Sequence, residues 1–138
     1  MFVLDTCLVS EFARKMPNSG VVAWIRQQVE TELVLTTMTL GEVVKGIERL
    51  PPGQTRTELE SWLSNDLIHR FRGRIHSFDT AASFEWGKLC ARLELSGTPM
   101  PAVDSQIAAV CVLLGADVVT RNESDFANSG VKVINPWT

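Results

Sequence analysis

Cysteine is scarce and scattered in this chain: Cys7, Cys90 and Cys111 are odd in number, far apart and mostly set among apolar neighbours. That excludes a disulfide framework or a zinc site built on cysteine, and leaves buried free thiols. Histidine is scarcer still, and His69 and His76 lack the i, i+4 spacing of a zinc-hydrolase helix. Long hydrophobic runs are missing. The longest, Ile107 to Leu114, is too short to cross a hydrocarbon core of about 30 Å, and the N-terminus has no basic segment followed by an apolar stretch and cleavage site. The expectation is a soluble, cytoplasmic protein that engages no membrane. Positive charge is in deficit: 13 Lys and Arg stand against 16 Asp and Glu, for a net charge of −3. Coating nucleic acid nonspecifically takes many cationic phosphate contacts, so that function class is excluded. A nucleic-acid enzyme working through bound divalent cations is not, because such ions invert the field of an acidic cluster. No glycine-rich phosphate loop, internal repeat, low-complexity tract or linker is found.

What is present is apolar patterning. With 45% hydrophobic residues in 138, residues 1–138 fit one domain able to bury about two-thirds of its unfolded surface. Phe2-Val3-Leu4 stops at Asp5, Leu33 to Thr37 is a second apolar run, Arg74 to Phe78 a short third, Asp117 to Thr120 a fourth and Val131 to Ile134 a fifth. Helical patterns separate them, which predicts an α/β fold with a central parallel sheet of four to five strands and helices on its faces. The first helix is expected from Thr6 to about Lys15. Thr39 and Glu42 match a capping box, opening a helix to Leu50 with Glu42 in its first turn, and Thr55 with Glu58 repeats the pattern before Leu59, Trp62, Leu63 and Leu67. The stretch from His69 to His76 is the one locally basic segment. It reads as a solvated loop, although its aromatic interleaving would also suit nucleic acid. Asp79 caps a long helix, and Pro99-Met100-Pro101 initiates another with Asp104 in its first turn, where an acid suits the helix dipole.

Each acid taken alone has a structural explanation, but their positions coincide. Asp5 follows a strand, Glu42 and Asp104 open helices, and Asn122 with Asp125 follows a strand. In a parallel sheet, strand carboxyl ends and helix N-termini share one edge, so these residues converge there. Several carboxylates in one cleft repel one another unless cations neutralise them. Mg²⁺ or Mn²⁺ suits such hard oxygen donors, and a site of this kind activates water and steadies a leaving phosphodiester oxygen.

At this point the chain resembles the PIN-domain ribonucleases, and among them the VapC-type toxins of toxin–antitoxin pairs, particularly the FitB-like group. The resemblance runs along essentially the whole sequence: Asp5-Thr6 after the first strand, Ser10-Glu11, Glu42, Asp104 with Ile107-Ala108-Ala109, Thr120-Arg121-Asn122 with Asp125-Phe126, and Asn135-Pro136-Trp137. It implies a PIN-like three-layer fold and a Mg²⁺ or Mn²⁺ site made by Asp5, Glu42 and Asp104. Thr6, Ser10 and Thr120 would support that site. It further implies RNA cleavage, a homodimer or larger assembly, and restraint by an antitoxin through which alone DNA would be contacted. Two departures stand out. Cys7 replaces the family's usual Asn, and its thiol cannot supply an amide's donors and acceptor. Neutral Asn122 stands where FitB-like members can carry a fourth acid, so the fourth position falls to Asn122 as a carbonyl or water-mediated ligand, to Asp125 as a carboxylate, or to both, with Asp125 favoured for its charge. A phosphotransfer receiver domain would require a Lys where Asn135 precedes Pro136. A non-catalytic PIN-like binding subunit is the stronger rival. Finally, Leu40, Val43, Val44, Ile47, Leu50, Leu59, Trp62, Leu63 and Leu67 exceed what two helices need for one small sheet, which predicts an interface there.

Overall fold

The computed structural model describes residues 1–138. Five parallel strands, β1 (Phe2–Leu4), β2 (Leu33–Thr36), β3 (Ile75–His76), β4 (Asp117–Val119) and β5 (Val133–Ile134), lie in the order β3-β2-β1-β4-β5. The first strand of the chain is therefore the middle one, with Val3 opposite both Val34 of β2 and Val118 of β4. Successive strand side chains point to opposite faces. Leu4, Leu33, Leu35 and Val119 accordingly enter one core with Leu8, Val21 and Ile47, and Val3, Val34 and Val118 enter another with Leu93, Ile107 and Cys111. Because helices cover both faces, the strands are apolar throughout instead of alternating with polar residues.

The helices are α1 (Thr6–Glu11), α2 (Ser19–Arg26), α3 (Thr37–Glu48), α4 (Gln54–Ser61), α5 (Ile68–Arg70), α6 (Thr80–Leu95), α7 (Ala102–Leu114) and α8 (Glu123–Phe126), with a π-helical stretch Trp62–Leu67 joining α4 to α5. Three local expectations are corrected. The first helix stops at Glu11, not near Lys15. Glu11 is 3% exposed, and its carboxylate accepts from the Asn18 amide at 3.0 Å and from Trp137 Nε1 at 3.4 Å, so the chain turns there to serve it. At α3 the cap is Thr36, whose hydroxyl accepts from the Thr39 amide at 3.2 Å. The helix thus starts at Thr37, directly off β2, and Glu42 lies in its second turn with its side chain free of capping. At α4 the helix starts at Gln54 after Gly53, and Glu58 accepts from Gln54 Nε2 at 2.9 Å, an i, i+4 pair in place of the expected box with Thr55.

The basic stretch is not a solvated loop. Arg70 pairs with Glu30 at 2.6 Å and lies 4.6 Å from the Phe12 ring centroid, while Arg74 donates to the Leu33 carbonyl at 2.7 Å and lies 4.8 Å above buried Phe71. The Arg70 hydrogen bond foremost holds the Glu30 carboxyl below its usual range. These cations are committed to joining α5 and β3 to the lower end of β2.

At the other margin, the terminal residues pack on α2. Asn18 caps that helix through the amides of Gly20 and Val21 and also donates to the Thr138 carbonyl at 3.0 Å. A Cβ on Gly20 would stand 2.3 Å from the Pro136 carbonyl oxygen. Glycine is required there by close approach of main chain, not by its own torsion angles.

Candidate active site

From β1 the chain steps outward through β2 to β3, then returns to the other side of β1 for β4 and β5. Connections leaving β1 and β4 therefore diverge, opening a crevice at their carboxyl ends, the place where open α/β sheets bind ligands. Asp5 sits at its base, 4% exposed. Its amide continues the sheet by donating to the Val119 carbonyl at 3.0 Å, and one carboxylate oxygen caps α1 by accepting from the Thr6 amide at 2.9 Å. The other accepts from the Thr120 hydroxyl, just past β4, at 2.7 Å. Strand pairing and helix capping together leave this carboxylate little freedom.

Thr6 carries the arrangement to α3, since its hydroxyl donates to Glu42 Oε1 at 2.5 Å. Glu42 is thereby tied to the residue that follows Asp5 instead of to its own helix terminus. Asp104 enters from the first turn of α7. That turn is anchored by buried Ser105, which accepts from Trp86 Nε1 of α6 at 2.9 Å and donates to the Ala102 carbonyl at 2.6 Å. Burial, then the charges of Asp5, Asp125 and Glu42 in that order, raise the Asp104 carboxyl from 3.8 to about 6. The four acids thus share one electrostatic environment, although no three acidic, histidine or cysteine side chains stand close enough together to hold a metal ion as they are placed. Asn122 precedes α8 as its N-terminal residue but makes no side-chain cap bond. Its amide donates to the Thr120 hydroxyl at 3.0 Å.

The donor set is all hard oxygen, carboxylates with an amide carbonyl at the margin, and fits Mg²⁺ or Mn²⁺, which bind through few carboxylates and retain waters. Cys7 occupies the space below. Its sulfur lies 3.4 Å from the Thr120 hydroxyl oxygen and accepts from the Arg121 amide at 3.5 Å, so the thiol meets some of the hydrogen-bonding demand that an amide would. Burial, opposed by those bonds, pushes the thiol's pKa up from its ordinary range. Sequence reasoning missed Trp86 and Ser105. A Ser inside the apolar α7 was the available signal, since a buried hydroxyl there needs a partner.

Beside the acids runs a groove of about 290 Å³ lined by Thr6, Ser10, Glu42, Gly46, Leu59 and Trp62 among others. The apolar excess noted in the sequence is partly consumed by the core: Val43, Ile47 and Leu67 are buried, while Leu59, Trp62 and Leu63 are half-buried and Val44 remains 43% exposed.

The raised Asp104 pKa has a consequence for stability. The folded chain holds that proton more tightly than the unfolded one, so its favourable contribution is complete below about pH 3.8 and lost as pH rises to about 6. Metal-free protein should lose stability across this window relative to Asp104→Asn. Thermal melts in chelator from pH 4 to 7 test it, and parallel profiles for the two proteins would refute it.

The family model described as PIN domain matches residues 2–131. Among curated proteins, the chain is 36% identical over 137 residues to the VapC ribonuclease Y4jK of Sinorhizobium fredii, covering 99% of this chain and 98% of that protein. It is 31% identical to toxin FitB of Neisseria gonorrhoeae, with 99% of each covered. Among solved structures, FitAcB from Neisseria gonorrhoeae contains a chain that superposes with a TM-score of 0.93 at 31% identity, again over 99% of both. The VapBC2 complex of Rickettsia felis bound to a promoter DNA fragment shares the fold, with a TM-score of 0.80 at 19% identity.

Proposed function

This chain belongs to the PIN-domain family, and on that premise we propose that it is a divalent-metal-dependent endoribonuclease, the toxin of a toxin–antitoxin pair, with residues 1–138 forming one domain. The observation that carries the reading is the meeting of four carboxylates in one electrostatic environment at the sheet crevice, two of them oriented by threonine hydroxyls. Such a convergence costs stability, and structural needs do not call for it. Asp5, Glu42 and Asp104 would hold Mg²⁺ or Mn²⁺, with Asn122 or Asp125 at the fourth position. The field of Asp125 on Asp104 favours Asp125 as the source of charge. When bound, the cation supplies Lewis acidity and a water of lowered pKa.

The chain's own part is positional. Thr120 and Thr6 orient Asp5 and Glu42, so these two carboxylates would be restrained before a cation loads, and the remaining ligands would close on it. The buried base of the crevice keeps charges weakly screened. RNA is the substrate in this reading, consistent with the ribonuclease named among the relatives. The partner is a small antitoxin whose tail fills the groove beside Glu42, and an arginine from it would pair with the acids in place of metal. DNA is contacted through that partner only, and part of the apolar surface serves self-association into a homodimer. No helix is long and apolar enough to cross a membrane.

Neutral Asn122 favours one other reading, a non-catalytic PIN-like binding subunit. Purified protein incubated with RNA separates the two. Cleavage is expected with Mg²⁺ or Mn²⁺ and none with chelator. Cleavage indifferent to chelation would overturn the metal assignment, and intact RNA under every metal condition would favour the binding subunit.

A further inference from the structure

Arg14, Arg56, Arg70 and Arg74 are ion-paired, and Arg92 donates to the Ser129 carbonyl. Arg121 differs: its guanidinium carbon lies 5.4 Å from the centre of the Trp137 ring. Its main chain also adjoins the acid site. Thr120, immediately before it, holds Asp5 at 2.7 Å, and its own amide is held by the Cys7 sulfur, so its main chain is fixed at the crevice rim while its side chain is exposed.

The aromatic surface beneath it is built, not incidental. Trp137 Nε1 donates to buried Glu11 at 3.4 Å, and its amide donates to Asn135 Oδ1 at 3.1 Å. Asn135 in turn donates to Glu123 at 3.0 Å. A guanidinium lying against a ring uses its face and keeps its in-plane N–H fork for a bidentate anion.

We propose that Arg121, carried on Trp137, grips a phosphate of the RNA strand entering the carboxylate crevice and so positions the substrate. The inference rests on the nuclease reading and adds a substrate contact to it. An acidic protein with a net charge of −3 needs local cations to hold a polyanion, and this one stands at the mouth of the site.

The test measures binding of a fluorescent single-stranded RNA, without metal, to Asp104→Asn protein over a range of salt. Adding Arg121→Gln should weaken binding roughly 10-fold and lower the salt slope by about 0.7, the share of one phosphate contact on a single strand, with an unchanged melting temperature. Arg121→Lys should restore the slope but only part of the affinity, since charge returns without the planar fork. Trp137→Leu should weaken binding while leaving the slope. An Arg121→Gln variant with parental affinity and slope overturns the proposal, as does a loss of affinity matched by a lower melting temperature with no change in slope. If wild-type protein cleaves RNA while Arg121→Gln binds normally, this proposal alone fails. If wild-type protein neither binds nor cleaves RNA, the nuclease reading fails with it.

Discussion

Asp104→Asn should reduce metal-dependent RNA cleavage by roughly 1000-fold, the scale on which removal of a placed electrostatic group acts, while leaving the melting temperature unchanged or raised. The two halves have one cause. Asp104 is pushed to about 6 by burial and by three neighbouring carboxylates, so its negative charge is held against the preference of the folded chain. Asparagine keeps the volume and removes the repulsion. A carboxylate cluster under mutual repulsion gains stability when one member is neutralised and, in the nuclease reading, loses activity. Cleavage assays at saturating Mn²⁺ and calorimetry on the same preparation give both readouts. Near-normal cleavage would reduce Asp104 to a helix-dipole acid, and a large fall in melting temperature would show it to be structural.

Gly46→Trp should release the enzyme from its partner, weakening inhibition on the order of 100-fold or more, as blocking an interface anchor does. Gly46 is exposed on α3, and an added Cβ would meet nothing within 4 Å, so a side chain can leave the backbone there and replacing glycine favours the helix. It nevertheless occupies the groove that contains Thr6 and Glu42. Those two residues belong to groove and acid site alike, which is why a tail lying in the groove can reach the carboxylates. Titrating the co-expressed neighbour protein into both enzymes while following RNA cleavage tests this. Equal inhibition of the two would move the partner elsewhere on the surface.

The strands were legible because a sheet covered on both sides demands apolar runs, and Phe2-Val3-Leu4 or Leu33-Val34-Leu35 satisfies little else, whereas their order in the sheet was not. Asp5 and Asp104 were legible for a related reason: strand ends and first helical turns have fixed places in a parallel sheet. Glu42 was placed one turn too early. Thr39-x-x-Glu42 is a valid local capping pattern, and only the tertiary fact that β2 runs straight into α3 hands the cap to Thr36. The residues around Arg70 and Arg74 misled for the opposite reason. Their charge suggested solvent, whereas Phe12, Phe71 and Glu30, distant in sequence, assemble a site for them. Cys7 was read as unable to replace an amide, yet its sulfur meets the Thr120 hydroxyl and Arg121 amide, and neither contact can be inferred from a chain separation of more than a hundred residues.

The central place of β1 bears on how the cell makes this protein. Asp5 is synthesised well before its partner, because the hydroxyl that holds it lies 115 positions later. At translation speeds of about 5 to 20 residues per second, that interval is on the order of ten seconds. Throughout it β1 lacks β4, and Asp5 has neither Thr120 nor Asp104 beside it. A nascent chain that has not reached Thr120 therefore cannot assemble this acid site, however long it pauses. Non-local pairing of this kind also slows folding after release. The delay gives a partner made at the same time an opportunity to be present before the first competent molecule is complete.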